Sequence, residues 1–302
     1  MSTSFELQAP KFGPYVYATE AKEIRQQGIY LLGFEFDGTA CFRKGTRLGP
    51  DAFREVSEGI ESYSPYQDMD VEKENLFDLG NLQVGTSDDV DQNFLEAVHH
   101  FEQLTDSVDL KQGIKLITLG GEHSISIAPI KKYLENYDDL VLIHLDAHAD
   151  LRDGYLGHHF SHASIIRRSL DHFKDNHELI QYGIRSGTKE EYEWMSEKRT
   201  LKTNRHEFLN AVRMIDSNRP IYVTLDLDFF DPSFLPGTGT PEAGGEDFHC
   251  WISLMKILKD KNFVGADIVE LSPEIDSTGN SSVFGTKVLR ETIACLMHNQ
   301  EK

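Results

Sequence analysis

Four short segments of this 302-residue chain concentrate side chains able to hold a cation: Gly120-Gly121-Glu122-His123-Ser124, Asp146-Ala147-His148-Ala149-Asp150, Asp226-Leu227-Asp228, and Glu270. In the second and third segments the ligand-type residues alternate. In an extended strand end, Asp146, His148 and Asp150 therefore share one side, and so do Asp226 and Asp228. Together with His123 they supply four carboxylates and two imidazoles, the complement of two divalent ions if one or two carboxylates bridge. Carboxylates about 4 Å apart repel by about 4 kcal/mol at an effective dielectric near 20, and four of them make six such pairs. Without cations, some would have to be protonated. An oxygen-rich set without thiolate favours Mn²⁺ first and leaves Zn²⁺, Co²⁺ or Fe²⁺ open. A lone D-x-H or D-x-D is weak, because Asp favours turns and caps in any case. The full set, each segment at the end of an apolar run, is a much stronger indication of a metal site.

Positioning these segments requires strands that finish together. Apolar runs predict strands over 29–34, 76–79, 114–119, 140–145, 179–184, 221–225 and 264–271, most of them apolar on both sides of the pleat. Such strands belong to a parallel sheet covered on both faces. Helices are expected over 51–63 after Pro50, over 90–104 after Ser87-Asp88-Asp89, and over 125–134 after Ser124. The alternation of strand and helix runs on to the end, without a Gly/Pro/Ser-rich linker, low-complexity tract or repeat. The expectation is one α/β domain over 1–302, three-layer α/β/α with a mainly parallel sheet. Loops at the C-terminal edge of such a sheet converge on one crevice, where ligands bind.

Composition narrows the partners. At 39% hydrophobic and 26% charged residues the chain reads as globular, and a net charge of −20 argues against nucleic acid or an anionic membrane. A small cationic substrate suits it. Cys41, Cys250 and Cys295 are odd in number and widely spaced, which suggests reduced thiols rather than a disulfide framework. The first residues lack the basic region and apolar run of a signal peptide, and no stretch is long and apolar enough to span a bilayer, so the expected location is the cytoplasm.

The motifs resemble those of the ureohydrolase family, which comprises arginase, agmatinase and their relatives. The likeness runs from Gly45-Thr46-Arg47-Leu48-Gly49-Pro50 to the Glu270 strand. It includes Gly121-Glu122-His123-Ser124, the Asp146–Asp150 segment, Thr224-Leu225-Asp226-Leu227-Asp228-Phe229-Phe230-Asp231-Pro232, and Pro236-Gly237-Thr238-Gly239-Thr240-Pro241. It implies an arginase-like fold and two Mn²⁺ per subunit. His123, Asp146, Asp150 and Asp226 would hold one ion and Asp146, His148, Asp226 and Asp228 the other, with Asp146 and Asp226 bridging. Glu270 resembles the family's guanidinium-binding glutamate, and His162, in Ser161-His162-Ala163-Ser164, its proton-relay histidine. Where the family most often has Asp before the ligand His, this chain has Glu122, which as an outer partner of the ligand would alter its orientation.

The implied reaction is hydrolysis of a guanidine to urea and an amine through a metal-bridging hydroxide. Asp150 would orient that hydroxide, while Glu270 pairs with the guanidinium and His162 relays protons. The loop from Leu151 to Phe160 is similar to that of agmatinases, which implies agmatine as substrate, putrescine as product and a place in polyamine biosynthesis. Asp153 and Tyr155 are the expected partners of the ammonium tail. Guanidinobutyrase, arginase, another guanidino-acid hydrolase and formiminoglutamase share the metal centre and stay open, as do a catalytically silent relative and a single-zinc deacetylase of related fold. The resemblance further implies a homo-oligomer, a trimer or hexamer.

Overall fold

A strand that is apolar on both sides of its pleat needs cover on both faces, and the computed structural model, which describes residues 7–72 and 75–300, supplies it. The chain runs β1 (Thr19–Glu20), β2 (Gly28–Phe34), α1 (Gly49–Glu55), β3 (Tyr63–Ser64), β4 (Met69–Asp70), β5 (Leu76–Asn81), α2 (Val90–Thr105), β6 (Ile114–Gly120) and α3 (Ile127–Asn136). It continues with β7 (Val141–Leu145), α4 (Ile165–Leu170), β8 (Glu178–Tyr182), α5 (Lys189–Lys198), β9 (Leu201–Lys202), α6 (Arg205–Met214), β10 (Pro220–Asp226), α7 (Phe248–Leu258), β11 (Asn262–Val269) and α8 (Asn280–Gln300). Nine strands form one sheet in the order β1-β5-β2-β6-β11-β10-β7-β8-β9, with every strand pairing in it parallel. β3 and β4 form a separate antiparallel pair.

The pleat sends alternate residues to two cores. Ile29, Leu31, Ile117, Leu119, Val223 and Leu225 face one side, packed with Phe53 of α1, Phe208 of α6, Trp251 of α7 and Leu289 of α8. Tyr30, Leu32, Leu116, Leu142 and Tyr222 face the other, under Phe94 of α2, Tyr133 of α3 and Ile165 of α4. This is the expected three-layer arrangement. Among the described residues, no helix is long and apolar enough to cross a membrane.

The register brings four strand ends level. β10 pairs with β7 as far as Leu225 opposite Leu145, and with β11 as far as Asp226 opposite Val269. β11 in turn pairs with β6 up to Ile268 opposite Leu119. These are four adjacent central strands, and the three ligand-bearing segments and Glu270 lie at their ends.

Some boundaries differ from expectation. The helix expected over 51–63 spans Gly49–Glu55 and gives way to a single 3₁₀ turn, Val56–Gly59, because the Ser57 hydroxyl bonds the Arg54 carbonyl at 2.7 Å and offers the backbone an alternative to helix. The strand expected to reach 184 ends at Tyr182, where Gly183 adopts φ 97°, and the one expected to reach 271 ends at Val269, before Glu270 at φ 67°.

α1 is fastened to the sheet by a buried ion pair. Arg54 donates from Nε and Nη2 to Asp78 at 2.8 Å each, and both side chains are fully buried. Removing one partner of such a pair leaves an uncompensated buried charge, costing about 3–5 kcal/mol. At about 2–4 °C per kcal/mol, Asp78→Ala lowers Tm by on the order of 10 °C. A thermal melt within a few degrees of the parent would contradict this.

Candidate metal centre

His123 opens the turn that follows β6, and it is fully buried. Only glycine fits two positions before it: a Cβ on Gly121 would lie 1.9 Å from the Phe36 carbonyl oxygen. His123 Nδ1 lies 2.9 Å from Asp146 Oδ2, 3.2 Å from Asp150 Oδ2 and 3.5 Å from Asp226 Oδ2. On the neighbouring side, His148 Nδ1 lies 3.0 Å from Asp228 Oδ2 and 3.5 Å from Asp146 Oδ1. Asp146 thus belongs to two adjoining clusters of ligand atoms.

The local backbone explains which oxygens point inward. Residues 146–150 do not continue β7 as an extended strand, and Leu227–Phe229 forms a 3₁₀ turn directly after β10. The alternation expected from spacing is therefore replaced by two Asx turns. Asp146 Oδ1 accepts the His148 N–H at 2.6 Å and Asp226 Oδ1 accepts the Asp228 N–H at 2.8 Å. Each aspartate spends one oxygen on its own turn and presents Oδ2 to His123. Asp150 reaches the same place from a left-handed backbone at φ 53°, while its carbonyl accepts the Ile166 and Arg167 N–H groups at 3.1 Å.

Electrostatics and hydrogen bonding both test the fit to cations. Burial, then Asp146, pushes Asp150 up to about 7, and burial, then Asp228 and Asp146, drives Asp226 well above the carboxylate range. Asp146 is held well below that range: burial acts upward, but His123, His144 and His148 outweigh it. Against the opposing effect of burial, carboxylate neighbours hold His123 and His148 well above the ordinary imidazole value. With protein groups alone, this cluster gathers protons to offset its charge. His123 Nδ1 and Asp228 Oδ2 are buried and take no hydrogen bond, though both have ligand atoms about them. Buried ligand atoms converging in this way suit divalent cations that would take the place of those protons, and the donor set fits a hard or intermediate metal.

The outer partners set the tautomers. Thr224 gives its single hydroxyl proton to Asp267 Oδ1 at 2.7 Å, so its contact at 2.8 Å with His123 Nε2 is donated by the ring. That leaves the Nδ1 lone pair facing the carboxylates. His144, in β7, was not among the expected site residues, yet its Nε2 lies 2.9 Å from Asp146 Oδ2. The Gln181 amide, oriented by Thr200 donating to its Oε1 at 2.7 Å, donates to His144 Nδ1 at 3.2 Å. His144 is therefore a neutral donor to Asp146 rather than a ligand, in keeping with burial, which holds its pKa below the ordinary imidazole value. A histidine inside an apolar strand carries no sequence signal for this role; only the register beside Gln181 reveals it.

A cavity of about 230 Å³ opens onto the centre, lined by Cys41, Arg152, Tyr155, His162, Glu191 and Glu270 among others. Glu270 follows β11, and its Oε1 accepts the His123 N–H at 2.8 Å. Burial, then the charge of Glu122, drives its carboxyl well above the usual range. Burial and then His148 and His123 push His162 down to about 4, which keeps the ring neutral at pH 7. Of the two expected tail residues, Tyr155 lines the cavity with Arg152 stacked 4.7 Å from its ring centroid. Asp153 instead turns outward and pairs with Arg168 at 2.5 Å, its side chain 84% exposed. Glu122 is not hydrogen-bonded to the His123 side chain; its carboxylate accepts from Thr39 and Ser124.

The likeness to known proteins follows the geometry. Residues 27–295 match the model of the arginase family. The chain is 36% identical to the agmatinase of Bacillus subtilis over 283 residues, covering 92% of this chain and 95% of that one. It is 31% identical to the guanidinobutyrase of Pseudomonas aeruginosa, over 88% of this chain and 85% of that one. Among solved structures, the agmatine ureohydrolase of Thermoplasma volcanium superposes with a TM-score of 0.79 at 28% identity, over 95% of each chain.

Proposed function

The chain belongs to the arginase family, and from that premise we propose that it hydrolyses agmatine to putrescine and urea. The observation that carries this reading is Asp146 shared between two adjoining ligand clusters, beside a cavity whose wall holds the carboxylate of Glu270. In this reading one Mn²⁺ is held by His123, Asp146, Asp150 and Asp226, and a second by Asp146, His148, Asp226 and Asp228. The pair supplies Lewis acidity and a water acidic enough to attack at neutral pH.

The side chains do the rest. Guanidinium carbon is a poor electrophile because three nitrogens share its charge, so the substrate must be held with its carbon toward the centre. Glu270 does this, accepting guanidinium N–H groups in a charge-assisted contact. Asp150 holds the proton that attack releases. The departing nitrogen leaves only when protonated, and His162 in the cavity wall exchanges that proton with the product amine or solvent. With the reading come a single ureohydrolase domain over 1–302, a trimeric or hexameric homo-oligomer and a cytoplasmic role in polyamine biosynthesis.

One observation favours a second reading. Arg152 lines the cavity, and a cation there suits the carboxylate of 4-guanidinobutyrate. Glu191, on the same wall, suits the ammonium of agmatine, although its oxygens already accept the Leu151 and Thr188 N–H groups at 3.0 and 2.7 Å. Steady-state urea release with Mn²⁺ on agmatine, arginine and 4-guanidinobutyrate separates them. The expected result is a kcat/KM for agmatine at least about tenfold above the others, or about 1.4 kcal/mol of discrimination. A preference for 4-guanidinobutyrate transfers the assignment to the second reading, and no urea from any guanidine removes both.

A further inference from the structure

Behind His162 lies a chain of hydrogen bonds that the reaction described so far does not use. Thr39 comes from the loop after β2, and its hydroxyl lies 2.5 Å from Glu122 Oε1, to which it donates. The same carboxylate accepts the Thr39 N–H on Oε2 at 2.8 Å and the Ser124 hydroxyl on Oε1 at 2.6 Å. Glu122 is fully buried, as is Ser124, and Thr39 is 4% exposed. The arrangement is thus internal and offers no rival partners from bulk water.

A threonine hydroxyl has one proton and two lone pairs. The Thr39 N–H and two hydroxyls all donate to Glu122 and so hold it as a carboxylate; with the Thr39 proton committed to it, Oγ1 can only accept. It accepts the backbone N–H of His162 at 3.2 Å, and it lies 3.2 Å from His162 Nδ1. A bare Nδ1 would set lone pair against lone pair, so Nδ1 carries the hydrogen. In the neutral ring, that leaves the lone pair on Nε2. Tyr155 packs edge to face on the ring, 5.7 Å between centroids, and limits its rotation from the cavity side.

We propose that Glu122 and Thr39 are positioning residues, which through one hydroxyl fix the tautomer and orientation of His162 so that Nε2 receives protons in the cavity. The proposal rests on the functional reading for the consequence to turnover, but the tautomer itself does not depend on it. It also assigns a purpose to Glu122, whose side chain reaches across 83 residues of sequence to Thr39 rather than supporting the neighbouring His123. The same logic operates at Asp267, Thr224 and His123, where the proton is placed on Nε2 instead.

The test uses full-length protein. In ¹⁵N-histidine-labelled protein loaded with diamagnetic Zn²⁺, the resonances lost in His162→Asn should show a protonated Nδ1 and a bare Nε2 at neutral pH. A majority of the opposite tautomer overturns the proposal whether or not the enzyme turns over. In the Mn²⁺ enzyme, Thr39→Val is expected to lower kcat about tenfold, a fraction of what a general acid–base group contributes, with KM and metal content unchanged and Tm lowered by no more than about 10 °C for the hydrogen bond lost at buried Glu122. Thr39→Ser, which keeps the hydroxyl, should restore kcat to within about twofold. An unchanged kcat in Thr39→Val overturns the proposal. So does a loss shared with Tm and metal content that Thr39→Ser does not repair. A parent protein that releases no urea refutes the functional reading instead, and the spectrum still decides the tautomer.

Discussion

Asp146→Asn is expected to lower urea release by roughly a thousandfold or more, an effect on the order of 4 kcal/mol in the transition state. Asp146 stands in both ligand clusters. Its Oδ1 holds the turn at His148, while its Oδ2 lies 2.9 Å from both His123 and His144. An amide in its place keeps the volume but removes one negative charge, and it sets N–H donors against atoms that are themselves donors or cation ligands. The damage therefore reaches both ion sites at once. Metal analysis should find well under two ions per chain after gel filtration. Stripping the parent protein with chelator should give the same loss, reversed by Mn²⁺. A variant that keeps two ions and more than about a tenth of parental turnover would falsify the shared-ligand assignment, which needs both losses together.

That the effect can be placed on one residue reflects what the chain makes plain before folding. Strands such as 114–119 and 221–225 are largely apolar on both sides, and acidic residues or histidine follow within one to four positions. In a buried parallel sheet a cluster of such residues is accommodated most readily at strand ends, which pointed the ligand segments to one rim. The rim was legible for this reason. The manner in which the ligands converge was not. Alternation suggested extended ends, whereas the Asx turns at Asp146 and Asp226 and the left-handed backbone of Asp150 bring the oxygens together. A side chain bonding its own backbone two residues on gives the same spacing as a strand and a different path.

Partnerships across the sequence were less legible still. Asp153 is near the centre in sequence, and electrostatics alone suits it to an ammonium tail. Arg168, in the helix that follows, competes for it and holds it outside the cavity wall. Arg152, its neighbour, lines that wall. His144 and Asp267 sit inside apolar strands, where single polar residues look like accidents of the core, and the pairing of β7 with β8 and of β10 with β11 supplies the Gln181 and Thr224 contacts that define their roles. Thr39 carried no signal at all. Its importance arises from a proton count at one oxygen, which only the folded arrangement sets.

Glu270→Gln is the substitution expected to separate substrate binding from metal binding. Glu270 is 7% exposed, lies outside the ligand clusters and is locked by its own backbone, whose N–H bonds the Gly121 carbonyl at 2.9 Å. One carboxylate oxygen is occupied by the His123 N–H at 2.8 Å, which aims the other away from the ligand turn. Burial disfavours its charge, so the charged form is stabilised chiefly when a cation arrives, and a guanidinium is such a cation. Gln keeps the shape and one acceptor but offers N–H to N–H where the carboxylate offered two lone pairs. Truncating one member of a buried charge pair costs about 2–5 kcal/mol, so kcat/KM should fall by on the order of a hundredfold or more. Metal content should stay at the parental value, in contrast to Asp146→Asn. Glu270→Asp retains the charge but draws it back by one methylene, and should fall between the two. If Glu270→Gln instead lost its ions, or turned over agmatine at the parental kcat/KM, the carboxylate would belong to the metal centre or to the scaffold and not to the guanidinium.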